Sequence, residues 1–289
     1  MLKHCGYSLL ALMTIVGVSA TSSGRVAAEN AVSPLSPDAE RATFRLADND
    51  LVVELVAAEP DVVSPVSIAW DEDGRMYVAE MRDYPNATTG GCVKRLDDPD
   101  ECGRYRRATI FADKLAFPNS VLPWSGGVLV TSAPNIWFFK DTDGDGKADE
   151  KRVILTGFHT GNQQLRVNGL TWGLDNWVYG ANGRSGGAIH KPGEPPEKAV
   201  SIARSDFRFR PDTGPVEAVA GFSQFGQSRD DWGNRFTNWN TIPMRHVVID
   251  ERYLSRNPYL AEAKSVATIA DPADLRVYSI SPPPQTFNR

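Results

Sequence analysis

One short pattern recurs along the chain. An apolar strand ends in Trp or a near equivalent, a tight turn rich in Asp, Asn or Gly follows, and a second apolar strand leaves. It reads S-I-A-W-D-E-D-G-R-M-Y-V-A-E from Ser67, N-S-V-L-P-W-S-G-G-V-L-V-T-S from Asn119 and N-G-L-T-W-G-L-D-N-W-V-Y-G-A from Asn168. A looser copy, F-G-Q-S-R-D-D-W-G-N-R-F-T-N, starts at Phe225. Trp70, Trp124 and Trp172 are 54 and 48 residues apart, and the fourth turn falls 57 residues after the third, from Asn176 to Gly233. A period of about fifty residues built from short strands is the signature of propeller blades. The expected fold is therefore an all-β propeller, and the place to look for function is the axial end where the inner strands begin.

The rest of the chain fits that reading. Runs such as F-R-L-A from Phe44 and L-V-V-E-L-V-A from Leu51 read as strands, while helical periodicity is nearly absent beyond a turn or two from Pro258 to Ala267. Twenty prolines and 24 glycines suit many tight turns. From Phe44 onward there are four good units and a weak fifth. The final A-D-L-R-V-Y-S-I-S-P-P-P-Q-T-F-N-R begins a strand and stops at a proline run, so a truncated or short propeller over 44–289 is expected.

The first residues read differently. Lys3 and His4 precede an apolar run from Tyr7 to Val18, and Val18-Ser19-Ala20 resembles a small-residue cleavage site. Residues 1–20 are expected to be a secretory signal peptide, with an uncleaved membrane anchor as the alternative. Residues 21–43 are rich in Ser, Ala and Pro and are expected to be a flexible leader. Export, to the periplasm or cell surface with membrane association allowed, makes a Cys92–Cys102 disulfide across the intervening nine residues plausible. Two free thiols are the alternative.

The net charge of −5 argues against a nucleic-acid partner. Four histidines and three cysteines leave little for a His/Cys metal centre, and no C-x-x-C-H haem motif occurs. The strongest local motif is D-T-D-G-D-G-K-A-D-E from Asp141. Asp141, Asp143, Asp145 and Asp149 stand at positions 1, 3, 5 and 9 of a calcium loop, and the Lys147 carbonyl would fill position 7. Position 12 is Arg152, and both flanks read as strands, so this is a calcium loop at a hairpin tip and not an EF-hand. A solvated acidic turn is the alternative. A degraded copy lies at Asp97-Asp98-Pro99-Asp100-Glu101.

Polar residues crowd the stretch from His159 to Arg184. Gln163, Gln164, Arg166 and Asn168 precede an inner strand, and Asn182 and Arg184 follow the next. Glu80, Arg82, Asn119, Gln224, Gln227, Arg245 and His246 take comparable places in other units. Amides and guanidiniums around a funnel suit an oxygen-rich ligand such as a sugar or polyol. Gln164, Asn168, Asn182, Arg184, Gln224 and Arg245 are candidate cofactor-binding residues. His159, Arg166 and His246 are the candidate catalytic ones, each histidine serving as a general base or merely as a hydrogen-bonding loop residue.

V-E-L-V-A-A-E-P, I-A-W-D-E-D-G-R-M-Y-V-A-E-M-R-D-Y-P, the D-T-D-G-D-G-K-A-D loop, T-G-N-Q-Q-L-R-V-N-G-L-T-W-G-L-D-N-W-V-Y-G-A-N-G and Q-S-R-D-D-W-G-N-R-F carry a resemblance. Over residues 40–262 the chain resembles the N-terminal propeller of the membrane-bound dehydrogenase family of planctomycetes and verrucomicrobia. That family is similar to soluble glucose and sorbosone dehydrogenases, six-bladed propellers that use pyrroloquinoline quinone with calcium. The resemblance implies quinone-linked oxidation of a sugar or alcohol, with a histidine taking the hydroxyl proton and a separate electron acceptor such as a cytochrome c. A non-catalytic glycan- or protein-binding propeller is the alternative. The chain departs from the sugar-dehydrogenase pattern at three places. His159 lies several residues before the expected histidine position within Leu165–Asn168, Asn182 replaces an Asp, and Phe222-Ser223 replace an Arg-Asn pair.

Overall fold

Four antiparallel sheets follow one another along the chain, each closing on a hairpin of the recurring type. The computed structural model describes residues 33–269, apart from 83, 86–89, 213, 255, 258 and 260–263. The signal-peptide reading at 1–20 and the proline-rich tail lie outside these residues. The chain divides after Thr43 into two units. In the first, Ser36 caps a short exposed helix α1 (Pro37–Arg41) by accepting the Ala39 N–H at 3.3 Å. Among the described residues no helix is long and apolar enough to cross a membrane.

Blade 1 is β1 (Pro65–Trp70), β2 (Met76–Glu80), β3 (Gly91–Pro99) and β4 (Tyr105–Leu115), in that spatial order. Blade 2 is β5 (Ser120–Trp124), β6 (Gly127–Ser132), β7 (Asn135–Lys140) and β8 (Glu150–Phe158). Blade 3 starts with β9 (Asn168–Trp172) and β10 (Val178–Ala181). The chain then leaves to form β11 (Gly187–His190) and β12 (Val200–Ser201), which extend blade 2 beyond β8. It returns as β13 (Asp206–Phe209) and β14 (Val216–Val219) to complete blade 3. Blade 4 is β15 (Gln227–Arg229), β16 (Arg235–Trp239), β17 (Ile242–Val247) and β18 (Val266–Thr268), with helix α2 (Glu251–Leu254) between its last two strands.

In blades 1 and 4 an aspartate closes the turn. Asp71 Oδ1 accepts the N–H groups of Asp73 and Arg75 at 3.0 and 2.9 Å, and Asp230 Oδ1 accepts those of Trp232 and Asn234 at 3.1 and 2.8 Å. The inner strands β1, β5, β9 and β15 touch in sequence order, the radial arrangement of a propeller. A side-chain oxygen near the start of each of the first three inner strands clasps the next blade. Ser67 Oγ accepts Val121 N–H (3.3 Å), Ser120 Oγ accepts Leu170 N–H (3.0 Å) and Asn168 Oδ1 accepts Gly226 N–H (2.6 Å).

Alternation along β6 divides the core. Val128 and Val130 join Tyr77, Val93 and Phe111 between blades 1 and 2, while Leu129 joins Phe138, Leu155, Val178 and Phe207 between blades 2 and 3. No described blade 4 residue enters these apolar clusters. Blades 3 and 4 meet through polar groups instead. The Arg229 and Arg235 guanidiniums lie 3.9 and 5.0 Å from the Tyr179 ring.

Two local readings are settled by the structure. The nine residues between Cys92 and Cys102 are mostly strand β3, which holds the two cysteines at opposite ends. Both are free, Cys92 buried and Cys102 exposed. Burial, with help from Glu80, pushes the Cys92 thiol up to about 12. The short helix sits at 251–254, ahead of the 258–267 stretch, whose described end belongs to β18. The acidic stretch around Asp97, a degraded copy whose ligand spacing Pro99 and Cys102 already break, is held by an ion pair: Asp97 is buried and 3.1 Å from Arg95.

Candidate functional site

The four inner strands begin at the same end of the blades, and a cavity of about 610 Å³ opens there. Val66, Asn119, Asn168 and Phe225 come from the strand starts, while Met81 and Tyr84 come from the segment after β2. Gln163 and Gln164 lie on a single 3-10 turn capped by Asn162, whose Oδ1 accepts the Gln164 N–H at 2.9 Å. Gln164 Nε2 donates to Tyr84 Oη (2.8 Å) and Gln163 Nε2 to Pro85 O (3.3 Å), so this turn is tied to blade 1. Among the described residues, no charged side chain lines the cavity.

Of the residues expected at the mouth, the structure brings Asn119, Gln163, Gln164 and Asn168 to this cavity, and of the candidate cofactor-binding residues Gln164 and Asn168. The Asn168 amide is already committed, since its Nδ2 donates to Arg166 O and Gln224 O and its Oδ1 accepts from Gly226. Asn182 is 1% exposed, donates to Ile202 O and Ser205 O and accepts the Gly186 N–H. Gln224 is buried and accepts the Asn240 N–H. These amides satisfy backbone groups that irregular loops leave unpaired.

Arg166 lies behind the mouth. It donates to Thr160 O at 2.6 Å and its guanidinium sits 4.8 Å from the Phe117 ring, while burial lowers its pKa. Arg184 and Arg245 stack on Trp239, at 4.6 and 4.7 Å. His159 is exposed, with Nδ1 2.9 Å from Ser185 O. His246 stacks on Phe236, its ring 5.0 Å away. None of these five residues lines the mouth. Glu80 is likewise wholly buried, holding Val63 N–H, Cys92 and Arg82. The sequence reading missed Tyr84, Phe225, Val66 and Met81. Their signal was position rather than polarity: Val66 is the second residue of β1, Phe225 lies two residues before β15, and Met81 and Tyr84 lie one and four residues after β2.

The acidic hairpin tip between β7 and β8 contributes no residue to the described lining of the mouth. Ligand atoms of Asp141, Asp143 and Asp149 lie within 4.8 Å of one another, a spacing that suits one hard cation. Asp145 stands outside this trio, and its Oδ1 accepts the Lys147 N–H at 2.7 Å. Burial works against the Asp141 carboxylate, but bonds from Gly144 N–H, Gly146 N–H and Arg95 hold its pKa below the ordinary range. Thr142 does the same for Asp149 through two bonds. Three converging carboxylates fit calcium. The mouth does not fit pyrroloquinoline quinone, which carries three carboxylates where the described lining offers no cation.

No curated protein matches the chain. Among solved structures, it is similar to a 6-phosphogluconolactonase-like protein from Bacteroides uniformis, at 15% identity over 71% of each chain with a TM-score of 0.37. It is similar to a chain of a nidogen/laminin complex, at 14% identity over 63% of this chain and 75% of that one, TM-score 0.34. BamB from Moraxella catarrhalis gives 13% identity over 64% of this chain and 58% of that one, TM-score 0.31. Residues 36–289 match one family model, and the chain belongs to that family, the domain of unknown function DUF7133.

Proposed function

We propose that the chain is a binding propeller whose mouth takes a neutral, hydroxyl-rich ligand, a sugar or polyol. The observation that carries this reading is a cavity lined by amides and aromatic rings without a charged side chain among the described residues. Amides exchange hydrogen bonds with hydroxyls, and the Tyr84 and Phe225 rings offer apolar faces to the C–H side of a sugar. An exported chain would meet such ligands at the cell surface. Tyr84→Ala and Phe225→Ala are each expected to weaken binding of a responsive saccharide about tenfold, a loss of about 1.4 kcal/mol. Calorimetric titration of a neutral saccharide panel checks this. A panel without binders, or binders indifferent to both substitutions, would remove the mouth as the site.

The rival reading is the quinone-linked oxidation that the family resemblance implies, which would require a separate electron acceptor such as a cytochrome c. Supplied with calcium, pyrroloquinoline quinone and the same saccharides, the protein is expected to reduce no dye above background, because neither His159 nor His246 reaches the cavity. Turnover would restore that reading.

Calcium at Asp141, Asp143 and Asp149 is proposed as a structural ion for blade 2, next to the Arg95 contact from blade 1. Binding to the folded state alone raises stability by mass action, so removing calcium with a chelator is expected to lower Tm by about 3–6 °C. A scan that does not move would exclude the ion.

A further inference from the structure

A second, larger cleft lies between blades 3 and 4. Its volume is about 980 Å³, and it shares no lining residue with the mouth. One wall is the end of β14 and the loop after it, with Val219, Ala220 and Phe222. The other comes from β17, α2 and the approach to β18. Three cations line the cleft, Arg204, Arg245 and Lys264, against one carboxylate, Glu251. Among the described residues none of the three cations is in an ion pair, whereas Arg208 within blade 3 has two acidic partners.

Arg245 is positioned rather than loose. Its guanidinium sits 4.7 Å from the Trp239 ring, and Trp239 is fixed by its indole N–H, which donates to Phe222 O. Arg184 stacks on the same ring. The Arg245 Nε is buried and has no hydrogen-bond partner. A guanidinium N–H without an acceptor is costly, and a carboxylate or phosphate oxygen is the acceptor it matches best. The remaining lining mixes Ser201, Ser205, Asn257 and Ser265 with the apolar Val219, Ala220, Phe222, Leu254 and Val266, so the cleft pairs cations with an apolar patch.

We propose that this cleft binds an amphipathic anion, with an apolar body against Val219, Ala220 and Phe222 and a carboxylate or phosphate head met by Arg245, Arg204 and Lys264. The site is independent of sugar binding at the mouth.

The test uses the whole chain at fixed ionic strength, with hexyl phosphate and hexanoate as probes and hexanol as the uncharged control. At saturation, at least one anion is expected to raise Tm by about 3 °C or more, with hexanol giving no shift. Arg204 and Lys264 are exposed, so Arg204→Gln with Lys264→Gln is expected to leave the probe-free Tm within about 1 °C. The same double variant should weaken the anion at least tenfold. The proposal is overturned by the absence of a saturable shift with either anion, by hexanol matching them, or by an unchanged response of the double variant. Saccharide titrations read a different cavity, so failure at one site leaves the other standing.

Discussion

Replacing Asp206 by alanine is expected to destabilise the chain by about 3–5 kcal/mol in denaturant titrations at 25 °C. Asp206 is wholly buried at the mouth end of blade 3. Its Oδ1 accepts the N–H groups of Asn182 and Ser223 at 3.0 and 2.9 Å, and its Oδ2 accepts the Ser223 hydroxyl at 2.5 Å. Asn182 ends the β10 side of the blade, and Ser223 lies on the loop that leads to blade 4. Alanine would leave three buried donors without an acceptor. Asp206→Asn keeps one acceptor oxygen and is expected to lose about 1–2 kcal/mol. A deficit below about 1 kcal/mol for Asp206→Ala would show that the loop closes without this carboxylate.

The pH dependence has a definite sign. Burial raises the Asp206 carboxyl above its ordinary value, against the opposing pull of its bonded donors and of Arg235. A carboxyl raised in the folded state contributes fully below its ordinary value of about 4 and loses that contribution as pH rises through the raised value. The advantage of the natural chain over Asp206→Asn is therefore expected to shrink between pH 4 and the raised value. An advantage that widened over that window would contradict the burial argument.

Gly169→Ala is expected to cost about 2–4 kcal/mol and to abolish ligand binding at the mouth. Gly169 has φ +59°, and a Cβ there would lie 2.3 Å from Gly226 Cα. The two inner strands approach backbone to backbone, a contact open only to glycine. Moving them apart would stretch the 2.6 Å bond from Gly226 N–H to Asn168 Oδ1 and displace Phe225 from the cavity. Faster amide exchange at Gly226, alongside the lower denaturation midpoint, is the expected signature. A midpoint unchanged within error would mean that the close approach is not needed.

Much of the candidate site was hidden by the double role of amides. Asn182 and Gln224 looked like ligand-binding groups because they flank strand ends in a polar stretch. Each instead satisfies loop backbone, and nothing in the sequence tells an amide facing a ligand from one facing a carbonyl. Tyr84 and Phe225 passed unnoticed for the opposite reason, since an aromatic beyond a strand reads as core. The inter-blade clasps were closer to legible. Ser67, Ser120 and Asn168 stand 53 and 48 residues apart, nearly the spacing of the tryptophans, yet their partners are backbone atoms in the next unit. The sequence left the pairing of Cys92 and Cys102 open because D-D-P-D-E looks like a loop, while its first residues pair in register with β4.

What the sequence determined by itself was the repeating unit. Alternation of apolar side chains, tight turns rich in Asp, Asn or Gly and the fifty-residue period are local properties, and they dictate antiparallel sheets stacked in order. The tertiary structure decided which polar groups face a cavity and which serve the backbone. It also set an interface between blades 3 and 4 built from stacked guanidiniums instead of an apolar core, and it moved Arg245 from the expected mouth to a separate cleft. Those outcomes depend on contacts between residues tens of positions apart, where burial and the presence of an acceptor, and not residue type, determine what a side chain does.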